Sequence, residues 1–185
     1  QTLPDWLEFD SATQILTGTP TDDDVGDHAV VLTVDDGTVT VNQEFMITVA
    51  NTNDAPVFTS VPDPSAVEDA EYSYTMVAED VDEGDELTFA AQTLPDWLTF
   101  DVETVTISGT ALNEHVGTHA VVLTVSDGFA IVNQEFTIMV ENINDSPVFT
   151  STPTTSSIED AEYSYTTTAS DIDVGDNLTF TAQAL

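Results

Sequence analysis

The residues able to do chemistry in this chain are oxygen donors. Carboxylates and side-chain amides gather in short segments, at Asn51-Thr-Asn53-Asp54, Asp80-Val-Asp82-Glu-Gly84-Asp85 and Ser126-Asp127-Gly128. In an extended loop the side chains at i and i+2 point the same way, so an Asp-x-Asp pair offers two carboxylates to one ion. Such hard oxygens suit Ca2+, which takes six to eight of them at about 2.3–2.6 Å. Asp54, Asp80, Asp82, Asp127 and the oxygens of Asn51 and Asn53 supply most of one shell. The pattern fails as an EF-hand, because no Glu stands at the twelfth position after Asp80. A single Asp-x-Asp reads better as a solvated acidic loop, so recurrence has to separate the two readings. Asp80, Asp82, Gly84 and Asp85 return as Asp171, Asp173, Gly175 and Asp176, which favours a ligand role. By contrast, Asp22-Asp-Asp24-Val-Gly-Asp27 returns as Asn113-Glu-His115-Val-Gly-Thr118; it keeps the turn glycine, loses charge, and reads as surface.

Other chemistries lack their parts. Without cysteine there is neither a disulfide nor a thiolate zinc site. Without Lys or Arg there is no Lys–Asn isopeptide link and no cationic oxyanion stabiliser. His28 and His119 begin strands, His115 occurs in one copy, and none is read as a ligand. No Ser–His–Asp order with a nucleophile elbow is present, and carboxylates are too abundant to single out a glycosidase pair. The expectation is a protein that is not an enzyme. A formal charge of −35 excludes nucleic acid and anionic membrane surfaces as partners. No apolar run reaches the ~18 residues of a membrane span, so no membrane insertion is expected. Any export signal or anchor is expected outside this window. The chain is nonetheless ordered, because its apolar fraction is 41%, with nine Phe, four Tyr and two Trp for cores.

The elements that must position these loops come from an internal repeat. Gln1-Thr-Leu-Pro-Asp-Trp-Leu7 recurs as Gln92-Thr-Leu-Pro-Asp-Trp-Leu98, and His28-Ala-Val-Val-Leu-Thr-Val34 as His119-Ala-Val-Val-Leu-Thr-Val125. At this offset of 91, 59 of 94 superposed positions are identical without a gap, so one structural unit repeats. Asn53-Asp54-Ala-Pro56-Val-Phe58 recurs as Asn144-Asp145-Ser-Pro147-Val-Phe149 and reads as the linker between repeats. Cutting there gives the C-terminal part of one repeat at 1–54, a complete repeat at 55–145 and the N-terminal part of the next at 146–185. The expectation is a stretch of a longer tandem array. The alternative is head-to-tail complementation, with 146–185 of one copy completing 1–54 of the next.

Within the complete repeat, apolar and polar residues alternate at period two. Strands are predicted at 57–61, 71–78, 87–93, 98–100, 105–108, 119–125 and 130–141, with nothing of helical period. Seven short strands in about 90 residues is the signature of a β-sandwich. In that topology the linker, the 80–85 loop and the 126–128 loop meet at one end. Glu68 and Asp69 turn at the opposite end, facing the next linker, Asn142, Asn144 and Asp145. Trp6 and Trp97 are either sugar-stacking platforms or core, and their Leu-Pro-Asp-Trp-Leu setting favours core. Tyr72 and Tyr74 share a strand face and carry no assigned chemistry.

Several of these segments resemble cadherin repeats. Val49-x-Asn51-x-Asn53-Asp54-Ala-Pro56-Val-Phe58 is similar to the cadherin linker Asp-x-Asn-Asp-Asn-x-Pro-x-Phe. Val67-Glu68-Asp69 resembles the first-strand Val-x-Glu stretch. Ala78-Glu-Asp80-Val-Asp82-Glu-Gly84 resembles the Ala-x-Asp-x-Asp-x-Gly loop, and Thr124-Val-Ser-Asp127-Gly128 the last top loop. Leu94-Pro-Asp-Trp97-Leu-Thr-Phe100-Asp101 with Ser108-Gly109-Thr110 is instead similar to dystroglycan-type cadherin-like repeats of large secreted bacterial proteins. The resemblance implies an all-β fold of seven-stranded Greek-key Ig-like, cadherin-like sandwiches arranged end to end. It also implies interdomain Ca2+ at Glu68, Asp80, Asp82, Asp127 and the linkers, and by repetition at Asp69, Asn142, Asn144, Asp145, Asp171 and Asp173. Three departures point to one or two ions per junction: Asn51 replaces the linker Asp, Ala55 replaces the last linker Asn, and the Trp segment replaces the mid-domain Asp-Arg-Glu ligands. The function expected is a calcium-stiffened extender or fibre shaft of an extracellular surface protein or adhesin, with neighbouring repeats or head-to-tail copies as partners. The alternative is a module binding polysaccharide or making homophilic cell contacts, which a secreted hydrolase can also carry as an appendage.

Overall fold

The computed structural model describes residues 3–183; Gln1, Thr2, Ala184 and Leu185 lie outside the described residues. The chain is all-β. In order, the strands are β1 (Leu7–Asp10), β2 (Ile15–Gly18), β3 (Gly26–Asp35), β4 (Thr40–Val49) and β5 (Val57–Phe58). Then come β6 (Ser65–Val67), β7 (Glu71–Thr75), β8 (Ala78–Glu79), β9 (Thr88–Thr93), β10 (Thr99–Asp101) and β11 (Thr106–Thr110). The last four are β12 (Gly117–Ser126), β13 (Ile131–Glu141), β14 (Val148–Phe149) and β15 (Ala169–Ser170). Two 3-10 turns, Asp22–Asp24 and Asn113–His115, are the only helical segments among the described residues. None is long or apolar enough to cross a membrane.

The strands fall into two compact units. Among the described residues the first comprises 3–59, 78–88 and 125–132. Its β1 and β2 form a hairpin, and β3 pairs with β4 over its whole length, from Gly26 opposite Val49 to Asp35 opposite Thr40. β5 pairs with β8, which brings the linker end beside the segment that leads into the 80–85 loop.

Among the described residues the second unit comprises 60–77, 89–124 and 133–183 and holds the sandwich core. One sheet has the order β10-β11-β7, and the other β6-β13-β12-β9. Alternation does what period two predicts, because one side of each strand is buried. Tyr72, Tyr74 and Ile107 point inward from the first sheet; Val121, Leu123, Ile138 and Val140 do so from the second. The sheets meet through rings set edge to face, Tyr74 against Phe136 at 6.1 Å. The Tyr74 hydroxyl stays satisfied by donating to Gln134 Oε1 at 2.9 Å, as a buried phenol requires.

Two predicted strands are interrupted. The 57–61 strand ends at Phe58, and its continuation β6 runs parallel to β13 with Ser65 opposite Met139. Pro62 and Pro64 lie between these pieces and lack ladder N–H donors. The 71–78 strand breaks at Met76-Val77, where Met76 N–H turns to Val105 and Val77 N–H to the Ser60 hydroxyl. Both breaks let one strand change sheets, as corners of sandwiches do.

Candidate metal centres

The first centre lies within the first unit. The linker approaches the 80–85 loop because the Asp54 N–H donates to Asp82 Oδ2 at 2.7 Å. Asp80 Oδ1 accepts the Asp82 N–H at 3.0 Å, which folds the loop back on itself. Asp127 is fixed by the Phe129 and Ala130 N–H groups, both 2.6 Å from Oδ1, while Asn53 Nδ2 reaches its Oδ2 at 3.0 Å. Oxygens of Asp80, Asp85 and Asp127 lie within 4.8 Å of one another. The electrostatics follow from this crowding. The Ala130 N–H foremost, with Asn53 and Phe129, holds the Asp127 carboxyl below the ordinary range despite burial. Asp22 foremost, then burial, Asp82 and Asp80, pushes Asp54 up. Burial, then Asp80, Asp82 and Asp127, pushes Asp85 up.

The second centre lies within the second unit and repeats the plan. The Asp145 N–H donates to Asp173 Oδ2 at 2.7 Å, and the Asp173 N–H to Asp171 Oδ1 at 3.1 Å. Glu68, carried past the end of β6, is completely buried and accepts the Ile143 N–H of the linker. Oxygens of Glu68, Asp145 and Asp173 lie within 4.8 Å of one another, as do those of Asp171, Asp173 and Asp176.

Whether these residues fit a cation is decided by oxygens that have nothing else to bind. Glu68 Oε2, Asp173 Oδ1, Asp82 Oδ1 and Asp80 Oδ2 are buried without a hydrogen-bond partner. Glu68, Asp173 and Asp82 are 0%, 7% and 5% exposed. A buried carboxylate oxygen with no donor is costly, and a chain without Lys or Arg has no cationic side chain of those types to supply. A hard divalent cation satisfies such a donor set.

Among the sequence-predicted residues, Asp80, Asp127, Glu68, Asp145, Asp171 and Asp173 meet in these groups, and Asp82 and Asp54 hold each other beside the first. Asn53 serves through its amide, and Asn144 donates to the Asp145 carbonyl. Asn51, Asp69 and Asn142 are exposed and stand outside the groups; Asp69 adopts φ 59° and donates its N–H to Ala111.

The patch read as surface is corrected at Asn113, which is half-buried, whereas Asp22 is exposed. Asp22 is the strongest charge acting on Asp54, and Asn113 Nδ2 donates to Asp145 Oδ2 at 2.9 Å. Asn113 Oδ1 is also buried without a partner. Both residues open a 3-10 turn that survives the sequence change. Thr21 N–H is capped by Asp24 in one copy, and Leu112 N–H by the His115 ring in the other. Gly26 and Gly117 follow at φ 120° and 127°, which explains why the turn glycine recurs. The sequence signal was this retained turn, with an oxygen-bearing residue at its first position in both copies. His28 and His119 bind the carbonyls of Asp24 and His115 at 2.6 Å, a structural role. Trp97 is 7% exposed, packed on Tyr72 at 6.0 Å, and offers no open stacking face.

Together these features define a class: an all-β chain of Ig-like, cadherin-like sandwich repeats. The family is also defined, since residues 1–50 and 55–141 match He_PIG, described as "Putative Ig domain", and the chain belongs to that family. It is similar to the serine-rich adhesin for platelets of Staphylococcus aureus (strain USA300), at 35% identity over 127 residues. That match covers 68% of this chain and 6% of the adhesin, so the chain spans a small fraction of that relative. Among solved structures, the protocadherin GammaB4 extracellular domain matches with a TM-score of 0.51 at 22% identity, over 91% of this chain and 31% of that one. An endo-fucoidan hydrolase of glycoside hydrolase family 107 matches with a TM-score of 0.44 at 27% identity, over 82% of this chain and 25% of that one. Human protocadherin-24 EC1-2 (form II) matches with a TM-score of 0.46 at 28% identity, over 66% and 64%.

Proposed function

We propose that this chain is a non-catalytic structural segment of an extracellular surface protein or adhesin, in which Ca2+ held at the repeat junctions stiffens a tandem array. The repeats are 1–54, 55–145 and 146–185, and neighbouring repeats are the principal partners. The observation that carries the reading is the set of buried, unpartnered carboxylate oxygens on Glu68, Asp82 and Asp173, beside the linkers. When bound, the ion supplies positive charge and shared coordination. Asp80, Asp85 and Asp127 would hold it at the first linker, with Asp82 and Asp54. Glu68, Asp145, Asp171, Asp173 and Asp176 would hold it at the second. Glu68 and the 171–176 loop belong to successive repeats in this division, so a shared ligand set restrains the hinge between them. Extracellular modules of this kind work at calcium sites of about 10⁻⁴–10⁻³ M, which suits an exported chain. The kinship with a surface adhesin supports the location.

The test is solution scattering and thermal melting of the 185-residue chain in calcium and in chelator. Calcium should raise the melting temperature and lengthen the particle. Superimposable profiles in the two conditions would remove the calcium reading.

A further inference from the structure

We propose that the two linkers answer to calcium unequally: Asn113 latches the 142–145 linker without a cation, whereas Asp22, at the same place in the repeat, has no proton to give and leaves the 51–54 linker without that latch. This rests on the calcium reading and refines it. Positions 22 and 113 are one repeat apart, and each is the first residue of the same 3-10 turn. The turn is the same in both copies, and at this position the side chains differ by one group, carboxylate against amide. The amide has protons to give, and Asn113 Nδ2 lies 2.9 Å from Asp145 Oδ2. A carboxylate has none, so Asp22 cannot donate to Asp54 as Asn113 donates to Asp145.

Neighbouring substitutions run the same way. Asp24 becomes His115 and Glu83 becomes Val174, so with Asp22 three carboxylates give way to Asn, His and Val. Thr21 becomes Leu112, and Leu112, Asn113, Glu114, Ile172 and Val174 line one groove at the second linker. The second linker thus relies less on metal while keeping a metal site, because Glu68 Oε2 and Asp173 Oδ1 remain buried and unpartnered beside it.

Equivalent amides report on each linker: Asp54 N–H on Asp82, and Asp145 N–H on Asp173. The experiment is residue-level hydrogen exchange on the full chain, with calcium chloride or chelator, for the parent, Asp22→Asn and Asn113→Asp. Each variant is compared with the parent at its own linker, which cancels other differences between the two sites. In chelator, Asn113→Asp should speed exchange at Asp145 about tenfold, the scale of one charge-assisted hydrogen bond. Asp22→Asn should slow exchange at Asp54 by about the same factor, and calcium should shrink both effects. Asn113→Ala, which removes the donor without adding charge, should speed exchange at Asp145 by less than Asn113→Asp. Swaps that leave exchange at their own linkers unchanged in chelator overturn the proposal. If calcium protects neither amide in the parent, the calcium reading falls, and the chelator arm still decides whether Asn113 is a latch.

Discussion

Replacing Glu68 by Gln should stabilise the chain in chelator and roughly halve the stabilisation it draws from calcium. The Glu68 side chain is completely buried, and its oxygens share a 4.8 Å sphere with those of Asp145 and Asp173. Two like charges at that separation repel by about 3.5 kcal/mol at an effective dielectric of about 20. The hydrogen bond from Ile143 N–H offsets about 1.5–3 kcal/mol of the burial and repulsion on one oxygen, and the other has no donor. Gln keeps the acceptor, removes the charge and adds protons that both Asp residues accept. The expected gain in chelator is about 1–3 kcal/mol. In calcium that gain shrinks. A cation at about 100 times its dissociation constant adds about 2.7 kcal/mol. A site weakened about tenfold by loss of one charged ligand retains about 1.4 kcal/mol of that. At roughly 2–4 °C per kcal/mol for a chain of this size, melting curves in the two buffers resolve the calcium-dependent change, which should fall by about half in the variant. If Glu68→Gln lowers the melting temperature equally in both buffers, the carboxylate is only an acceptor for the linker amide, and the reasoning fails.

Three further outcomes are expected. Gly109→Ala should destabilise by more than about 3 kcal/mol in urea unfolding, because a Cβ there sits 1.9 Å from the Trp97 carbonyl oxygen, and backbone cannot step aside. Val105→Asn should stabilise by about 1 kcal/mol, since Val105 holds φ 53°, a left-handed conformation that a β-branched side chain resists. Asp101 should show pH dependence of a definite sign. The Glu103 N–H foremost, with that of Thr104, holds its carboxyl below the ordinary range. The turn is therefore fully supported above the unfolded carboxylate value of about 4 and loses that support as pH falls through the lower folded value. Exchange at the Glu103 amide should accelerate on acidification in the parent, with a much flatter profile in Asp101→Asn.

The sandwich was legible because burial on one sheet face imposes period two. Residues 119–125 and 130–141 alternate plainly, and all of them except Ala130 lie in strands. Strand continuity was less legible. The breaks after Phe58 and at Met76-Val77 arise where Ser60 and Val77 bond each other outside the ladders, a contact across 17 residues that no local pattern records. For the metal centres, repetition pointed to Asp80, Asp82, Asp171 and Asp173 as a conserved spacing within the chain. Asp85 and Asp176 recur equally well, but their membership in the ligand groups needed the loop's folded path.

By itself the sequence determined the repeat, the all-β class, the lack of cationic partners for 35 carboxylates, and the oxygen-donor character of the linkers. Those properties are local or additive: spacing, alternation and charge survive without knowing where the chain goes. Only the tertiary structure decided which oxygens are left unpartnered and which turn meets each linker. Glu68 Oε2 became an orphan through burial, a property of everything packed around it. Asp22 and Asn113 had looked like surface because they lose charge between copies. Folding sets Asn113 against a linker carboxylate 32 residues away, where that same change of charge carries meaning.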